Sequence, residues 1–203
     1  MRKIITTTFI TLDGVMQAPG GSTEDTVNGF KYGGWQLAWE EKDKVADNIM
    51  KKLMIAPFDL LLGRITYDIW CGYWPDHKDE PQWGKPFDKA VKYVVSHKPI
   101  KLPWSNSELI TGDVVAEIKK LKNTDGPDLM VWGSANLIQT LLKNNLIDRT
   151  HIWIYPMTIG TGKKLFAEGT MPQHFKPVDS KITDTGVIFA TYEPSKPLKP
   201  GTL

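Results

Sequence analysis

The sequence predicts an α/β protein whose central sheet is parallel over most of its width and ends on an antiparallel edge. Three observations carry that expectation. "FDLLLG" and "DLMVWG" are short, continuously apolar runs, as strands buried on both faces of a sheet are. Each passes through a glycine into apolar residues at helical spacing. The last third strings strand-like runs together with turn residues between them, and consecutive strands pair antiparallel.

The elements read in order as follows. Residues 3 to 11 are rich in isoleucine, threonine and phenylalanine and stop at "LDG", a strand and its turn. "VMQAPGGSTEDTVNGFKYGG" is glycine-dense and has no period, so it reads as a long functional loop. From Trp35 to about Leu53 apolar residues fall mostly on one helical face, and Pro57 closes that helix. "FDLLLG" and "RITYDIW" give a strand and a helix. "KAVKYVVS" gives a strand ending at Ser96, and "DVVAEIKKLK" a helix with Asp113 as N-cap. "DLMVWG" and "SANLIQTLLKNN" repeat the strand-to-helix step. "RTHIWIYPMTIG", "KPVDSKITDTG" and "VIFATYEP" are strands, with "TDTG" turning the last two into a hairpin. The expected organisation is one domain over residues 1–193 and a proline-rich tail, 194–203, whose prolines resist regular pairing.

Composition narrows the function classes. A chain of 203 residues buries one sizeable core, and its net charge of +2 lacks the basic stripe of a nucleic-acid or polybasic membrane binder. Cys71 is the only cysteine, which excludes an intrachain disulfide and a multi-cysteine metal site and suits a reducing cytoplasm. No window reads as a signal peptide or a membrane span. The expected setting is cytoplasmic, with a small-molecule substrate, neither nucleic acid nor membrane as partner, and a homodimer left open.

In an open α/β sheet, ligands sit outside the carboxyl ends of the strands. Three such ends carry glycine: Gly63 with Arg64 and Thr66, Gly133 with Ser134, and Gly160 with Gly162. Glycine lets a backbone approach a ligand, and the N–H groups at a following helix start favour an anion such as pyrophosphate. Each has a plainer alternative: Ser134 as a simple N-cap, Arg64 as a surface ion-pair partner, Gly160 and Gly162 in an ordinary loop with Lys163 and Lys164 solvated. Neither G-x-G-x-x-G after the first strand nor a P-loop is present, so any nucleotide is held in another way. Asp13 in "TLDG" is the candidate acid; its alternative is a turn aspartate bonding its own backbone. Glu40, Glu41 and Asp43 read as first-turn acids complementing a helix dipole. Asp76, His77, Asp79 and Glu80 read as solvated charge, with no metal site. Trp35, Trp39, Trp70, Trp74 and Trp83, among eight tryptophans, stack on a planar heterocycle or serve as core or dimer contacts.

"LLLGRITYDIW", "KYVVSHKP", "VWGSANLIQTLLKNNLIDRTHIWIYPMTIGTGKKLF" and "TGVIFATYEP" together resemble the dihydrofolate reductase-like superfamily, in particular the riboflavin-biosynthesis reductase branch, the RibD C-terminal domain family. The resemblance runs from Lys3 to about Glu193 and is most specific from Gly133 to Phe166. It implies a three-layer fold and NADPH as cofactor. It places Gly63, Arg64 and Thr66 at the cofactor's phosphates, Ser96 and His97 near its adenosine, and Gly133, Ser134 and Leu137 beside the pyrophosphate and nicotinamide ribose. Arg64 becomes the reader of the 2′-phosphate, and Asp13 lies beside the substrate. Many relatives carry two glycines where this chain has Gly133 and Ser134. The implied activity is NADPH-dependent hydride transfer to a small heterocycle such as 5-amino-6-(5-phosphoribosylamino)uracil. The alternatives are reduction of another pterin-like or carbonyl compound, or a nucleotide-binding module without turnover. The zinc-deaminase signatures H-x-E and P-C-x-x-C do not occur.

Overall fold

The structure, a computed structural model, describes residues 1–39 and 43–197. Eight strands form one sheet in the order β4-β3-β2-β5-β1-β6-β8-β7. They are β1 (Ile4–Thr11), β2 (Phe58–Gly63), β3 (Lys92–Val95), β4 (Ser107–Ile110), β5 (Asp128–Trp132), β6 (Arg149–Tyr155), β7 (Gln173–Ile182) and β8 (Ile188–Pro197). Every pairing from β4 across to β6 is parallel, and β6-β8 and β8-β7 are antiparallel. This is the predicted architecture. The "TDTG" hairpin is present, closed by Thr183 N–H to Val187 O at 2.9 Å and Gly186 N–H to Thr183 O at 3.0 Å.

Helices cover both faces. Ile49, Met50 and Met54 of α1 (Lys44–Ile55), Tyr67 of α2 (Arg64–Cys71) and Phe87 of α3 (Gly84–Lys89) join the core with Phe58, Leu60, Leu62, Met130, Trp132 and Trp153. Ile118 of α4 (Val114–Lys122) and Leu137, Ile138, Leu141 and Leu142 of α5 (Ala135–Lys143) join the opposite core with Leu61, Leu129, Val131 and Ile152. Successive residues of β2, β5 and β6 thus enter opposite cores, which is why those strands carry consecutive apolar residues on both faces.

Four details depart from the sequence reading. The helix expected from Trp35 divides into a 3-10 turn, Trp35–Trp39, and α1, because the Asp43 carboxylate accepts the Ala46 N–H at 2.8 Å and starts a new helix. Glu40 and Glu41 lie outside the described residues. The strand β4 and the helix α3 are additions, each too short to show a period. Finally, β8 continues past Pro194, which lies opposite Phe175, to Pro197 opposite Gln173. Its partner β7 is the edge strand and shifts register twice, between Gln173 and Phe175 and between Pro177 and Asp179, so missing proline N–H groups are tolerated there.

The two ends of the sheet are held differently. At the amino edge, buried Arg2 pairs with Asp59, and Lys122 pairs with Asp148 at 2.5 Å. Asp148 also accepts the Ile4 N–H at 2.7 Å. The carboxyl edge is joined instead by glycines, hydroxyls and one carboxylate.

Candidate functional site at the carboxyl edge

Parallel strands bring their carboxyl ends to one edge, so the predicted glycines line up along it in the order β2, β5, β6, with the end of β1 between the last two. The β2 and β5 ends are fastened to each other. Gly63 N–H donates to Ser134 Oγ at 2.9 Å, Ser134 Oγ donates to Trp132 O at 3.0 Å, and Ser134 N–H donates to Thr66 Oγ1 at 2.9 Å. Ser134 therefore does not cap α5 with its side chain. Its hydroxyl is turned back across the sheet edge because the residue is left-handed, φ 56° and ψ 46°. Gly133 precedes it at φ +55°, and a Cβ there would lie 3.2 Å from Thr66 Oγ1. Glycine at 133 is thus needed both for the turn and for the approach of Thr66. Leu137 is buried one turn into α5, in the core behind this junction.

Arg64, the first residue of α2, forms an ion pair with Asp68 at 2.5 Å, both side chains about half exposed. The surface-pair alternative therefore describes it in this structure. At the end of β3, buried Ser96 donates Oγ–H to Lys98 O at 2.7 Å and closes its own turn, while His97 beside it is exposed.

Asp13 joins the β1 and β6 ends. Its carboxylate accepts from Thr11 Oγ1 at 2.5 Å, Ile159 N–H at 3.2 Å and Gly160 N–H at 2.7 Å. The Thr11 hydroxyl and these N–H groups hold its pKa below the ordinary carboxylate value, so it stays ionised at neutral pH. Gly162, φ +114°, lies so close to Phe30 and Val15 that a Cβ would fall within 2.8 Å and 2.9 Å of them. Lys163 is not solvated as in the plainer alternative: it pairs with Asp25 at 2.6 Å, and its N–H donates to Gln17 Oε1 at 3.0 Å. Lys164 is exposed.

The charged loop before α3 serves the fold. Glu80 accepts the N–H groups of Gln82, Trp83 and Gly84, and although burial opposes it, they hold its carboxyl below the usual range. His77 bonds Tyr73 O at 2.8 Å and stacks on the Tyr73 ring. Among the described residues no cluster of three His, Cys, Asp or Glu side chains is placed to hold a metal. No described helix is long and apolar enough to cross a membrane.

The tryptophans divide. Trp70, Trp74 and Trp83 pack on Phe87, whereas Trp35 and Trp39 set their edges against Tyr155 at 5.2 and 5.7 Å. Sequence reasoning passed over the aromatics that neighbour the carboxyl edge: Phe9, Trp132, Trp153 and Tyr155. Phe9 has its ring centroid 6.1, 6.0 and 6.0 Å from the other three in that order. The spacing of Trp153 and Tyr155, two residues apart on one face of β6, was the available signal.

Comparison with known proteins agrees with this architecture. A family profile described as the RibD C-terminal domain matches residues 2–189. The protein YyaP of Bacillus subtilis (strain 168) is 26% identical over 194 residues, covering 94% of each chain. A solved structure from Shewanella sp. PV-4, assigned by name to riboflavin biosynthesis, superposes with a TM-score of 0.67 at 20% identity, over 96% of this chain and 99% of that one. The dihydrofolate reductase of Enterococcus faecalis, solved in complex with NADP(H) and RAB-propyl, superposes with a TM-score of 0.57 at 12% identity, over 96% and 97% of the two chains.

Proposed function

The chain belongs to the RibD C-terminal domain family, and from that premise we propose that it is an NADPH-dependent reductase delivering hydride to a small heterocyclic or carbonyl substrate. One observation carries the cofactor half: the paired bonds from Gly63 N–H to Ser134 Oγ and from Ser134 N–H to Thr66 Oγ1 fasten the starts of α2 and α5 side by side. Neither start is closed by a side-chain cap. Two helix beginnings with unclaimed N–H groups make a fitting seat for a pyrophosphate, and Gly133 between them is exposed.

Gly63, Thr66, Gly133 and Ser134 would hold the phosphates, with Leu137 supporting α5 from the core. Arg64 would exchange Asp68 for the 2′-phosphate, since an exposed pair of this kind is worth about 0–1 kcal/mol; that charge favours NADPH over NADH. Ser96 and His97 would border the adenosine, and Gly160 and Gly162 the nicotinamide side. NADPH, when bound, supplies the hydride, and the chain supplies orientation. Asp13 is an ionised acceptor and an anchor for residues 159 and 160, so in this reading the proton comes from water rather than from its carboxyl.

Calorimetry and NADPH fluorescence test the reading. Wild type is expected to bind NADPH, and Gly133→Ala to weaken binding at least about tenfold while remaining folded. Failure of the wild type to bind, or normal binding by both Gly133→Ala and a folded Gly133→Val, refutes it. Binding without NADPH consumption across heterocyclic and carbonyl substrates would make the protein a nucleotide-binding module without turnover, the reading that the anchoring role of Asp13 favours.

A further inference from the structure

The glycine-dense loop that follows β1 is folded on itself. Its neck is closed by Gly34 N–H to Ala18 O at 2.8 Å and by Gln36 N–H to Pro19 O at 3.1 Å. Within it, the Glu24 carboxylate accepts the N–H groups of Gly20 and Gly21 at 2.7 and 3.1 Å. Gly33 lies so near Gly21 and Ser22 that a Cβ would fall 2.6 Å from both carbonyl oxygens. A loop that meets its own hydrogen-bonding needs in this way behaves as a compact piece of surface.

One buried side chain ties that loop to the carboxyl edge. Gln17 is 3% exposed, and its Nε2 donates to Asp25 O at 3.1 Å and to Val27 O at 3.0 Å, while its Oε1 accepts the Lys163 N–H at 3.0 Å. Its main-chain carbonyl accepts the Trp35 indole N–H at 2.8 Å. A primary amide donates and accepts at once, so the nitrogen of Gln17 serves the loop and its oxygen serves the turn after β6. Neighbouring contacts run the same way. Lys163 Nζ pairs with Asp25 at 2.6 Å, Met16 N–H donates to Lys163 O at 2.8 Å, and Phe30 and Val15 close on Gly162.

The turn held in this way has an anchor on its other side. Asp13 accepts the N–H groups of Ile159 and Gly160. Residues 159 to 163 are therefore gripped between the end of β1 and the loop. The β2-β5 junction is made by a different set of bonds, those among Gly63, Thr66, Trp132 and Ser134. The two ends of the cleft are thus fastened separately, and a substitution can loosen one without the other.

We propose that Gln17 is a positioning residue for the nicotinamide: it joins loop 18–34 and turn 159–163 into one rigid wall, and that wall fixes how the nicotinamide ring stands. This rests on the reductase reading above, in which Gly160 and Gly162 border the nicotinamide side. Affinity for the dinucleotide comes from its phosphates at the other junction, whereas the wall acts on orientation, the quantity that governs hydride transfer.

The test uses the full chain and NADPH. Gln17→Met keeps the length of the side chain and removes both its donors and its acceptor; Lys163→Met, a second variant, removes only the ion pair with Asp25. Amide hydrogen exchange should quicken about tenfold or more in loop 18–34 and in turn 159–163 together in Gln17→Met, and by less in Lys163→Met, while Gly63 and Ser134 keep wild-type rates. In both variants the Kd for NADPH should stay within about twofold of wild type, while the emission gained by the bound nicotinamide at saturation falls to about half or less. A purely structural role would leave that emission unaltered at equal saturation. Faster exchange in the loop with the turn unchanged, or wild-type emission in both variants, overturns the proposal. A wild type that does not bind NADPH defeats the reductase reading, whereas a wild type that binds it beside variants with undimmed emission defeats only the role of Gln17.

Discussion

Replacing Ser134 by alanine removes one atom that holds two strand ends together. Its Oγ accepts the Gly63 N–H at 2.9 Å and donates to Trp132 O at 3.0 Å, and the residue is 9% exposed. An N–H left without its acceptor in such a place costs about 1–3 kcal/mol. A central value near 2 kcal/mol lowers Tm by roughly 4–8 °C in a chain of this size. Ser134 is also left-handed at φ 56°, which costs a side-chain-bearing residue about 1 kcal/mol and costs glycine almost nothing. Ser134→Gly loses the same bonds but relieves that strain, so it should be about 1 kcal/mol more stable than Ser134→Ala. Urea unfolding followed by circular dichroism measures both. An alanine variant within about 0.5 kcal/mol of wild type, or a glycine variant less stable than the alanine one, would refute the account of this junction.

The buried imidazole of His151 makes stability pH-dependent: unfolded it takes a proton near pH 6.5, folded only near about 4, so the unfolded state binds more protons in that window. Acidification from about pH 6.5 to 4 should cost wild type about 3 kcal/mol more than His151→Gln, read as the difference between their urea midpoints. Gly162→Ala puts a Cβ 2.8 Å from Phe30 Cε2 at φ +114° and is expected to lose about 2–4 kcal/mol in calorimetry; a neutral result would mean the loop is free to move off Phe30. Asp13→Ala frees the N–H groups of Ile159 and Gly160, and their amide hydrogen exchange should quicken by about tenfold or more. Unchanged exchange there would leave Asp13 without its anchoring role.

The glycine-bearing strand ends were legible because backbone need is written in residue type: Gly63, Gly133 and Gly160 follow apolar runs, and Asp113 precedes a helical stripe and caps it. The parallel-then-antiparallel sheet followed from the same alternation, since β2, β5 and β6 send successive residues into two different cores. Ser134 is not the simple N-cap that the sequence also allows, because sequence shows that a small hydroxyl residue begins a helix but not the sign of its φ. The left-handed turn, and with it the bond to Gly63 that is 71 positions away, exists only when β2 and β5 are neighbours. Proline likewise ends a strand only where its N–H is required, and the double register shift of the edge strand β7 let β8 run to Pro197.

By itself the sequence determined the longer strands and helices, though not the short β4 and α3, and which turns need glycine, because those are properties of neighbouring residues. The tertiary structure decided everything that depends on strand order. It gave Asp13 to residues 159 and 160, Lys163 to Asp25, and Thr66 to Ser134. It also left Phe9 half-buried between two tryptophans whose N–H groups have no partner, since burial and hydrogen-bond supply are set by what packs overhead rather than by what adjoins in the chain.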